Sequence, residues 1–208
     1  MTSPHNRLSI ADRFVHLLTL ISSERFLQKQ GLGNEVPFFI CPYDPKDMVE
    51  MENLASRLAR ALENRGIGVL EINLYDLAIE LLRARGIFER ILEMEPAVPK
   101  DRLKETLEGV LDPETHLVPA IAEKMRARAA SASPFHVVFI TGVGQVFPYI
   151  RSHNVLNNLQ STATEQPTVL FFPGTYTHSL ESGAALDLFG KLHHDRYYRA
   201  FNIYSIGV

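Results

Sequence analysis

The chain has 208 residues, a hydrophobic fraction of 46% and a formal net charge of −3 at pH 7. These values suit one globular domain better than two small ones, and the net negative charge gives no general attraction to nucleic acid. The single cysteine, Cys41, excludes a disulfide framework within the chain and a cysteine-based zinc site. Because Cys41 ends an apolar run, we expect a small buried side chain there.

The N-terminal sequence has no apolar core of the kind that a secretory signal carries. No stretch of the chain approaches the length of a membrane span. We therefore expect a cytoplasmic protein without a membrane partner.

The predicted elements begin with a helix from Ser9 to about Lys29, which Ser9 or Asp12 caps. A core strand over Val36–Cys41 follows, and Asp44 is a good N-cap for the second helix. The apolar spacing of that second helix predicts a buried stripe. Its members are Met51, Leu54, Ala55, Leu58, Ala61 and Leu62.

The second predicted strand is Ile67–Leu74, and the helix before it favours a right-handed crossover to a parallel neighbour of the first strand. A helical block over residues 75–130 follows, as an insertion that packs on one face of the sheet or forms a small lobe. Charges of both signs alternate between residues 80 and 108. This pattern is typical of a solvated helical face and equally of the charged rim of a partner interface.

The central stretch predicts a buried parallel βαβ unit. Its strands are His136–Thr141 and Val169–Phe172, and its helix is Ser152–Ser161. After Gly174 the sequence is polar and predicts irregular structure, with a short helix around residues 184–192. A last strand, over residues 198–204, is predicted to lie at an edge of the sheet.

This order predicts a single α/β domain with a mostly parallel sheet of about five strands and helices on both faces. The sheet resembles that of Rossmann or P-loop proteins, but neither of their glycine-rich phosphate-binding motifs is present. Asp44 and Asp47 after the first strand would repel a phosphate. We therefore expect a degenerate nucleotide-binding fold without a cofactor, and we read Gly142-Val143-Gly144 as a tight turn rather than an anion cradle.

The start of the central helix is the main candidate for a partner- or ligand-binding site. A helix N-terminus with arginine and histidine can bind an anion or a carboxylate, whereas the simpler alternative is a serine cap with amides that tie loops together. The two alternatives are about equally favoured. The polar residues concerned are Arg151, Ser152, His153, Asn154, Asn157 and Asn158.

Loop aromatics form a second group of candidates, because exposed aromatic side chains often anchor a protein partner. Phe147, Tyr149 and Tyr176 are expected to be exposed, and His178 is a further candidate contact.

Catalytic and metal sites are less favoured. Ser152 with His153 could suggest a hydrolase, but adjacent residues seldom form a nucleophile–base pair, and no G-x-S-x-G elbow is present. The adjacent pair His193-His194 lacks the i, i+4 spacing of a helical zinc site. The residues near the C-terminal end that carry metal-ligating groups are expected to lie at the surface rather than in a metal site. Those residues are His178, Asp187, His193, His194 and Asp195.

Several long and unusual stretches carry a family resemblance over nearly the whole chain after residue 36. They are FFICPYDPKD (38–47), LEINLYDLAIELL (70–82), ILEMEP (91–96), GVLDPETHLVPAI (109–121), FITGVGQVFPYIRSHNVLNNLQ (139–160), VLFFPGTYTHSLESGAALDLFG (169–190) and YYRAFNIY (197–204). Together they resemble the BrxB family of BREX, the bacteriophage exclusion systems of bacteria.

The resemblance implies a cytoplasmic component of a defence complex with no established catalytic residues. Its expected partners are the phosphatase-like PglZ, the ATPase BrxC and the methyltransferase PglX, with DNA reached only indirectly. We therefore predict a non-catalytic adaptor that bridges these proteins. The alternative is a ligand- or DNA-binding module that uses Arg151, His153, Asn154 and the loop of residues 174–182, and an enzyme built from the tail histidines ranks third.

Overall fold

The structure is a computed structural model, and it describes residues 8–30, 37–159, 165–179, 183–189, 192–194 and 200–207. The helices are α1 (Ile10–Ile21), α2 (Glu24–Leu27), α3 (Met48–Glu63), α4 (Leu74–Ala84), α5 (Phe88–Met94), α6 (Lys100–Val110), α7 (Val118–Ala129) and α8 (Ser152–Leu159). The strands are β1 (Phe38–Tyr43), β2 (Val69–Asn73), β3 (Val137–Thr141), β4 (Thr168–Ser179), β5 (Gly183–Leu188), β6 (Leu192–His194) and β7 (Phe201–Asn202). Within these ranges, no helix has both the length and the apolar character that crossing a membrane requires.

A mostly parallel sheet organises the described chain. The order β2–β3–β4–β1–β7 joins parallel neighbours, and the second half of β4 pairs antiparallel with β5, which pairs with β6. The predicted α/β class is therefore confirmed. The predicted βαβ unit is confirmed as well, because β3 and β4 are parallel neighbours joined through α8.

The placement of β2 beside β1 is wrong. β2 lies at the end of the sheet, and β3 and β4 separate it from β1. Every residue of 137–140 and of 168–173 is buried, which suits strands that are covered on both faces. β2 carries the exposed Glu71 at its centre, and a charged residue is better placed on an edge strand.

The N-terminal helix differs from the prediction because it is interrupted. Ser9 caps α1 as predicted, since its side chain accepts a hydrogen bond from the N–H of Asp12. The helix stops at Ile21, and the Ser23 side chain then caps the short α2 by accepting from the N–H of Phe26. Serine side chains compete well for backbone N–H groups at such positions, so the pair at 22–23 divides one predicted helix into two.

The expectation of a helix near residues 184–192 is also wrong, because β5 and β6 occupy the described part of this stretch. Leu186 and Leu188 are buried and Asp187 between them is half-buried, which is the period of two that a strand shows. In the last predicted strand, only Phe201–Asn202 is strand among the described residues, and it lies at the edge beside β1. Val36 and residues 195–199 lie outside the described ranges.

Two apolar clusters cover the two faces of the sheet. Ile40, Ile140 and Leu170 point to the face that α4, α6, α7 and α8 cover. The intervening strand residues, such as Phe39 and Phe139, pack against α1 and α3 on the other face. The predicted stripe of the second helix is buried except at Ala61, which is half-buried, and Cys41 is fully buried as expected.

A buried cation joins the first described helix to the last described segment. Arg13 of α1 is only 1% exposed. Its Nη1 donates to the carbonyl of Pro42 at 3.2 Å and to the hydroxyl of Tyr204 at 3.1 Å. The guanidinium also lies 5.4 Å from the centroid of the Tyr204 ring. A buried charge is costly without such contacts, so Tyr204 stabilises the position of α1 on the sheet.

We expect Tyr204→Phe to lower the free energy of unfolding by about 1 to 3 kcal/mol, because it removes an acceptor from a buried charged donor. Urea denaturation followed by circular dichroism measures this change. Tyr75→Phe is the matched control, since Tyr75 is 48% exposed and its change is expected to stay within about 0.5 kcal/mol. Equal effects of the two substitutions would contradict a stabilising role for the Arg13–Tyr204 contact.

Candidate partner-binding surface

The carboxyl edge of the sheet, where open α/β sheets usually bind ligands, is partly covered by the β4–β5 hairpin. A Cβ atom on Gly144, in the turn after β3, would lie 3.1 Å from Cγ of Pro173 and 3.3 Å from Cε1 of Phe189. The Phe189 ring also meets the Phe147 ring edge-on, with centroids 6.0 Å apart. Residues of the hairpin therefore pack directly on the β3 turn.

The glycine-rich turn after β3 has the conformation that a tight turn requires. Gly142 has a φ of +75°, as the turn interpretation predicted. A Cβ there would overlap Oδ1 of Asn73. That oxygen accepts hydrogen bonds from the N–H groups of Tyr75 and Asp76 and so caps α4. The turn thus closes around a helix cap, which accounts for its glycine without an anion.

Helix α8 buries its apolar face and presents amides on the other side. Val155, Leu156 and Leu159 are at most 1% exposed. Asn157 is exposed, and Nδ2 of Asn158 donates to the carbonyl of Asn154 at 2.8 Å.

The start of α8 brings the remaining predicted residues together along the chain. Arg151 is half-buried, and its carbonyl accepts from the N–H groups of Asn154 and Val155. Ser152 and His153 form the first turn of α8, but their side chains, like that of His178 on β4, lie outside what the structure describes. A site at these residues remains a prediction.

The expectation that Tyr176 is exposed is wrong. Tyr176 is only 4% exposed, and its hydroxyl donates to the carbonyl of Ala200. It lies on the extended part of β4, opposite the buried Leu186, so the strand turns its ring into the core. Burial raises the pKa of its hydroxyl to about 12. Phe147 and Tyr149 are half-buried and pack against the same core.

An apolar groove of about 280 Å³ lies between the helical insertion and the loop after β3. We call it the insertion groove. Tyr75 and Leu92 on its rim are 48% and 46% exposed, and α5 contains no buried residue. Its lining residues are Tyr75, Ala78, Ile79, Leu82, Phe88, Ile91, Leu92, Glu95, Leu103, Leu107, Leu111, Gln145, Val146 and Tyr149.

Sequence reasoning found only one residue of this groove, Tyr149. The other wall comes from α4, α5 and α6, which the sequence presents as a charged block. The sequence signal that could have revealed the groove is the set of apolar residues between those charges. In the structure Ile79, Ile91 and Leu92 are not fully buried, so they are available to line an open groove.

Ionisable side chains do not gather into a recognisable metal centre in the described ranges. Asp187 lies on β5, with Thr175 and His193 as its neighbours in register on β4 and β6. The side chains of His193 and His194 and the whole of Asp195 fall outside the description.

Comparison with known proteins identifies the family. The family model described as BREX protein BrxB matches residues 70–203. The chain belongs to the BrxB family. A BREX protein BrxB from Bacillus cereus (strain H3081.97) is 34% identical over 198 residues, which cover 93% of this chain and 97% of the relative. Another from Escherichia coli O9:H4 (strain HS) is 30% identical over 191 residues, which cover 92% and 90%. No solved structure shows a significant match.

Membership of the BrxB family makes the chain a component of a phage-defence system, as the resemblance implied. The matched range begins in β2 and ends after β7. It therefore contains every residue that lines the insertion groove. The groove is thus built within the part of the chain that characterises the BrxB family.

The cover over the carboxyl edge depends on Gly174. A Cβ at this position would overlap the backbone oxygen of Asp187 and crowd the Phe172 ring. We expect Gly174→Ala to lower the free energy of unfolding by about 1 to 3 kcal/mol, as overpacking does. Gly109→Ala is the matched control, because nothing lies within 4 Å of a Cβ there and alanine favours the helix by roughly 0.5 to 1 kcal/mol. Thermal unfolding of both variants tests this, and a stable Gly174→Ala variant would contradict it.

Proposed function

We propose that this BrxB protein is a non-catalytic cytoplasmic adaptor of a BREX phage-defence complex, which bridges the PglZ, BrxC and PglX components. The insertion groove carries the proposal. Apolar side chains of the described chain are both clustered and accessible there. An adaptor needs such a surface, because partly exposed apolar and aromatic side chains supply most of the binding energy at protein interfaces.

The walls of the groove favour an α-helix of a partner as its occupant. Helices α4, α5 and α6 form three sides, and the loop that carries Val146 and Tyr149 forms the fourth. An amphipathic helix binds such a groove through apolar side chains spaced three or four residues apart. Tyr75 and Leu92 then become buried at the two rims, as anchor residues do.

The rim supports a specific rather than a general apolar contact. Arg83 lies over the Phe88 ring at 4.8 Å, which holds one wall residue in place. Glu95 lines the groove and supplies a charge at its margin. This arrangement, apolar in the centre and charged at the edge, is the usual anatomy of a protein interface.

The alternative, a ligand- or DNA-binding module at the carboxyl edge, has less support. Pro173 and Phe189 pack on the turn after β3, and Asn73 fills the space beside Gly142. Asp44, after β1, is paired with Lys46 at 3.0 Å, so that lysine is already engaged. A ligand would have to enter beside the hairpin.

We expect the double substitution Tyr75→Asp with Leu92→Asp to weaken binding to at least one of PglZ, BrxC and PglX by about tenfold or more, because it places charges in the interface. The measurement is co-purification with each partner separately, followed by a titration of the purified pair. The native chain should also retrieve a second partner through a tag on the first, since bridging requires both to bind at once.

The matched control is Val15→Asp with Val49→Asp. Both valines are 62% exposed and lie on α1 and α3, away from the groove. This variant has the same added charge and should bind as the native chain does. Equal losses in the two variants, or full binding by the groove variant, would remove the groove from the adaptor mechanism. No complex of the native chain with any of the three partners would refute the adaptor role itself.

A further inference from the structure

The outer edge of β2 is an unpaired strand edge among the described residues. β2 lies at one end of the sheet and pairs with β3 alone. β7 at the other end has two residues, and β6, which pairs with β5 alone, has three, whereas β2 has five. β2 is therefore the longest of these three edge strands that can template a further strand.

The hydrogen bonds of Gly68 fix the direction of the β2 backbone. Its carbonyl accepts from the N–H of His136 at 2.8 Å, and its N–H donates to Nδ1 of His136 at 2.9 Å. Both groups thus point towards β3. Because alternate residues of a strand direct their backbone groups to opposite sides, Val69 and Glu71 direct theirs to the open edge, as does the N–H of Asn73. The carbonyl of Asn73 belongs to the helix that this residue caps.

A polar cavity of about 360 Å³ lies at the carboxyl-terminal part of β2 and is bounded by helices from both faces of the sheet. Helix α3 contributes one wall, and α4 and α7 contribute the other. Three carboxylates and one ammonium group line it, so its formal charge is negative. The lining residues are Ser56, Glu71, Ile72, Asn73, Asp76, Leu77, Glu80, Lys124 and Thr141.

The one cation in the lining is already paired. Nζ of Lys124 lies 2.7 Å from Oε2 of Glu80, which leaves Glu71 and Asp76 as the charges that face the cavity. Desolvation raises the pKa of Glu71, the nearby Glu63 raises it further, and Arg60 opposes this shift. Glu71 is thus a partly desolvated carboxylate, and a further cation beside it would stabilise its charged form.

We propose that the β2 edge binds an extended, basic segment of a protein partner, which adds a strand beside β2. Backbone groups of Val69 and Glu71, together with the N–H of Asn73, pair with the incoming strand, as in other cases of strand addition. Its lysine or arginine side chains meet Glu71 and Asp76. This surface is distinct from the insertion groove, and the inference does not rest on the adaptor role.

Charge argues against a second copy of this chain as the occupant. Two β2 strands paired antiparallel about Glu71 would bring two Glu71 carboxylates opposite each other, and like charges directly opposite destabilise a strand pair. A basic segment removes that repulsion.

The test uses two fluorescein-labelled peptides, one of alternating lysine and valine and one of alternating glutamate and valine. Fluorescence anisotropy with the whole chain should show the lysine peptide binding at least about tenfold more tightly, and more weakly as salt rises. Backbone amide hydrogen exchange should show slower exchange at Glu71 in the complex, which a purely ionic contact of the side chains would not produce.

Two substitutions separate charge from strand pairing. Glu71→Lys should weaken the binding of the lysine peptide by about tenfold. Glu105→Lys makes the same charge change at an exposed position of α6 and should leave the affinity for the peptide unchanged. Glu71→Pro should abolish binding more completely than Glu71→Gln, because proline removes the outward N–H without removing a bond to β3. Thermal unfolding shows whether each variant is folded.

The inference is overturned by equal affinity for the two peptides, by an equal effect of Glu105→Lys, by exchange protection at α5 instead of β2, or by dimerisation of the chain through β2. These outcomes are separate from those of the adaptor proposal. If the lysine peptide binds at β2 but the chain forms no complex with PglZ, BrxC or PglX, the strand-edge proposal is supported and the adaptor proposal is refuted. If partner complexes form but the peptide does not bind, the adaptor proposal is supported and the strand-edge proposal is refuted.

Discussion

The parallel pairing of β4 with β3 and β1 is the constraint on which the rest of the molecule depends. The three strands are buried on both faces, with residues such as Phe139 and Phe171 on one side and Ile140 and Leu170 on the other. The rings of Phe139 and Phe171 meet edge-on with centroids 5.3 Å apart. A sheet covered in this way needs helices on both faces. This requirement places α1 and α3 on one side and the helical insertion with α8 on the other.

The extension of β4 beyond Pro173 changes what the carboxyl edge of this sheet can do. In open α/β proteins that edge is normally formed by separate loops. Here a continuous strand of 12 residues carries the chain out of the parallel sheet and into an antiparallel hairpin. Phe189, directly after β5, packs on the β3 turn. The carboxyl edge of the sheet at the β3 turn is therefore partly filled by the protein itself.

The insertion groove and the β2 edge are two accessible surfaces of the described chain. The insertion groove is apolar and lies on the side of α4, α5 and α6, whereas the β2 edge is polar and negatively charged. Their chemistry is complementary to different kinds of segment, an amphipathic helix and a basic strand. Two surfaces of such different chemistry suit two different partners, which agrees with the adaptor function that we propose.

Elements with a strong hydrophobic periodicity were predicted correctly from the sequence. Elements whose structure depends on which strands pair with each other were not. The central βαβ unit, the Ser9 cap and the buried face of α3 follow from local pattern. Strand order does not, and β2 was placed beside β1 because nothing local reports which strands become central. The hairpin was missed because its alternation, at Leu186, Asp187 and Leu188, is short and lies in a glycine-rich stretch. Tyr176 was expected to be exposed for the same reason.

The insertion groove was only partly predictable, since its walls come from segments that are distant in sequence. Tyr149 follows β3, whereas Tyr75 and Leu92 belong to helices that precede that strand. Each segment alone contains only a few apolar residues among charges, which is compatible with an ordinary solvated helix. Their convergence is a property of the fold, and no local pattern reports it.

The contact between Arg13 and Tyr204 has a consequence for how the chain is made. The two residues are separated by 191 positions, so α1 leaves the ribosome long before its partner exists. Until then the guanidinium lacks the acceptor that Tyr204 later provides, and the face of β1 that Tyr204 covers stays open. Long-range contacts of this kind slow folding and leave apolar surface exposed in the nascent chain. This face of the sheet therefore closes late in folding, after the residues around Tyr204 have been synthesised.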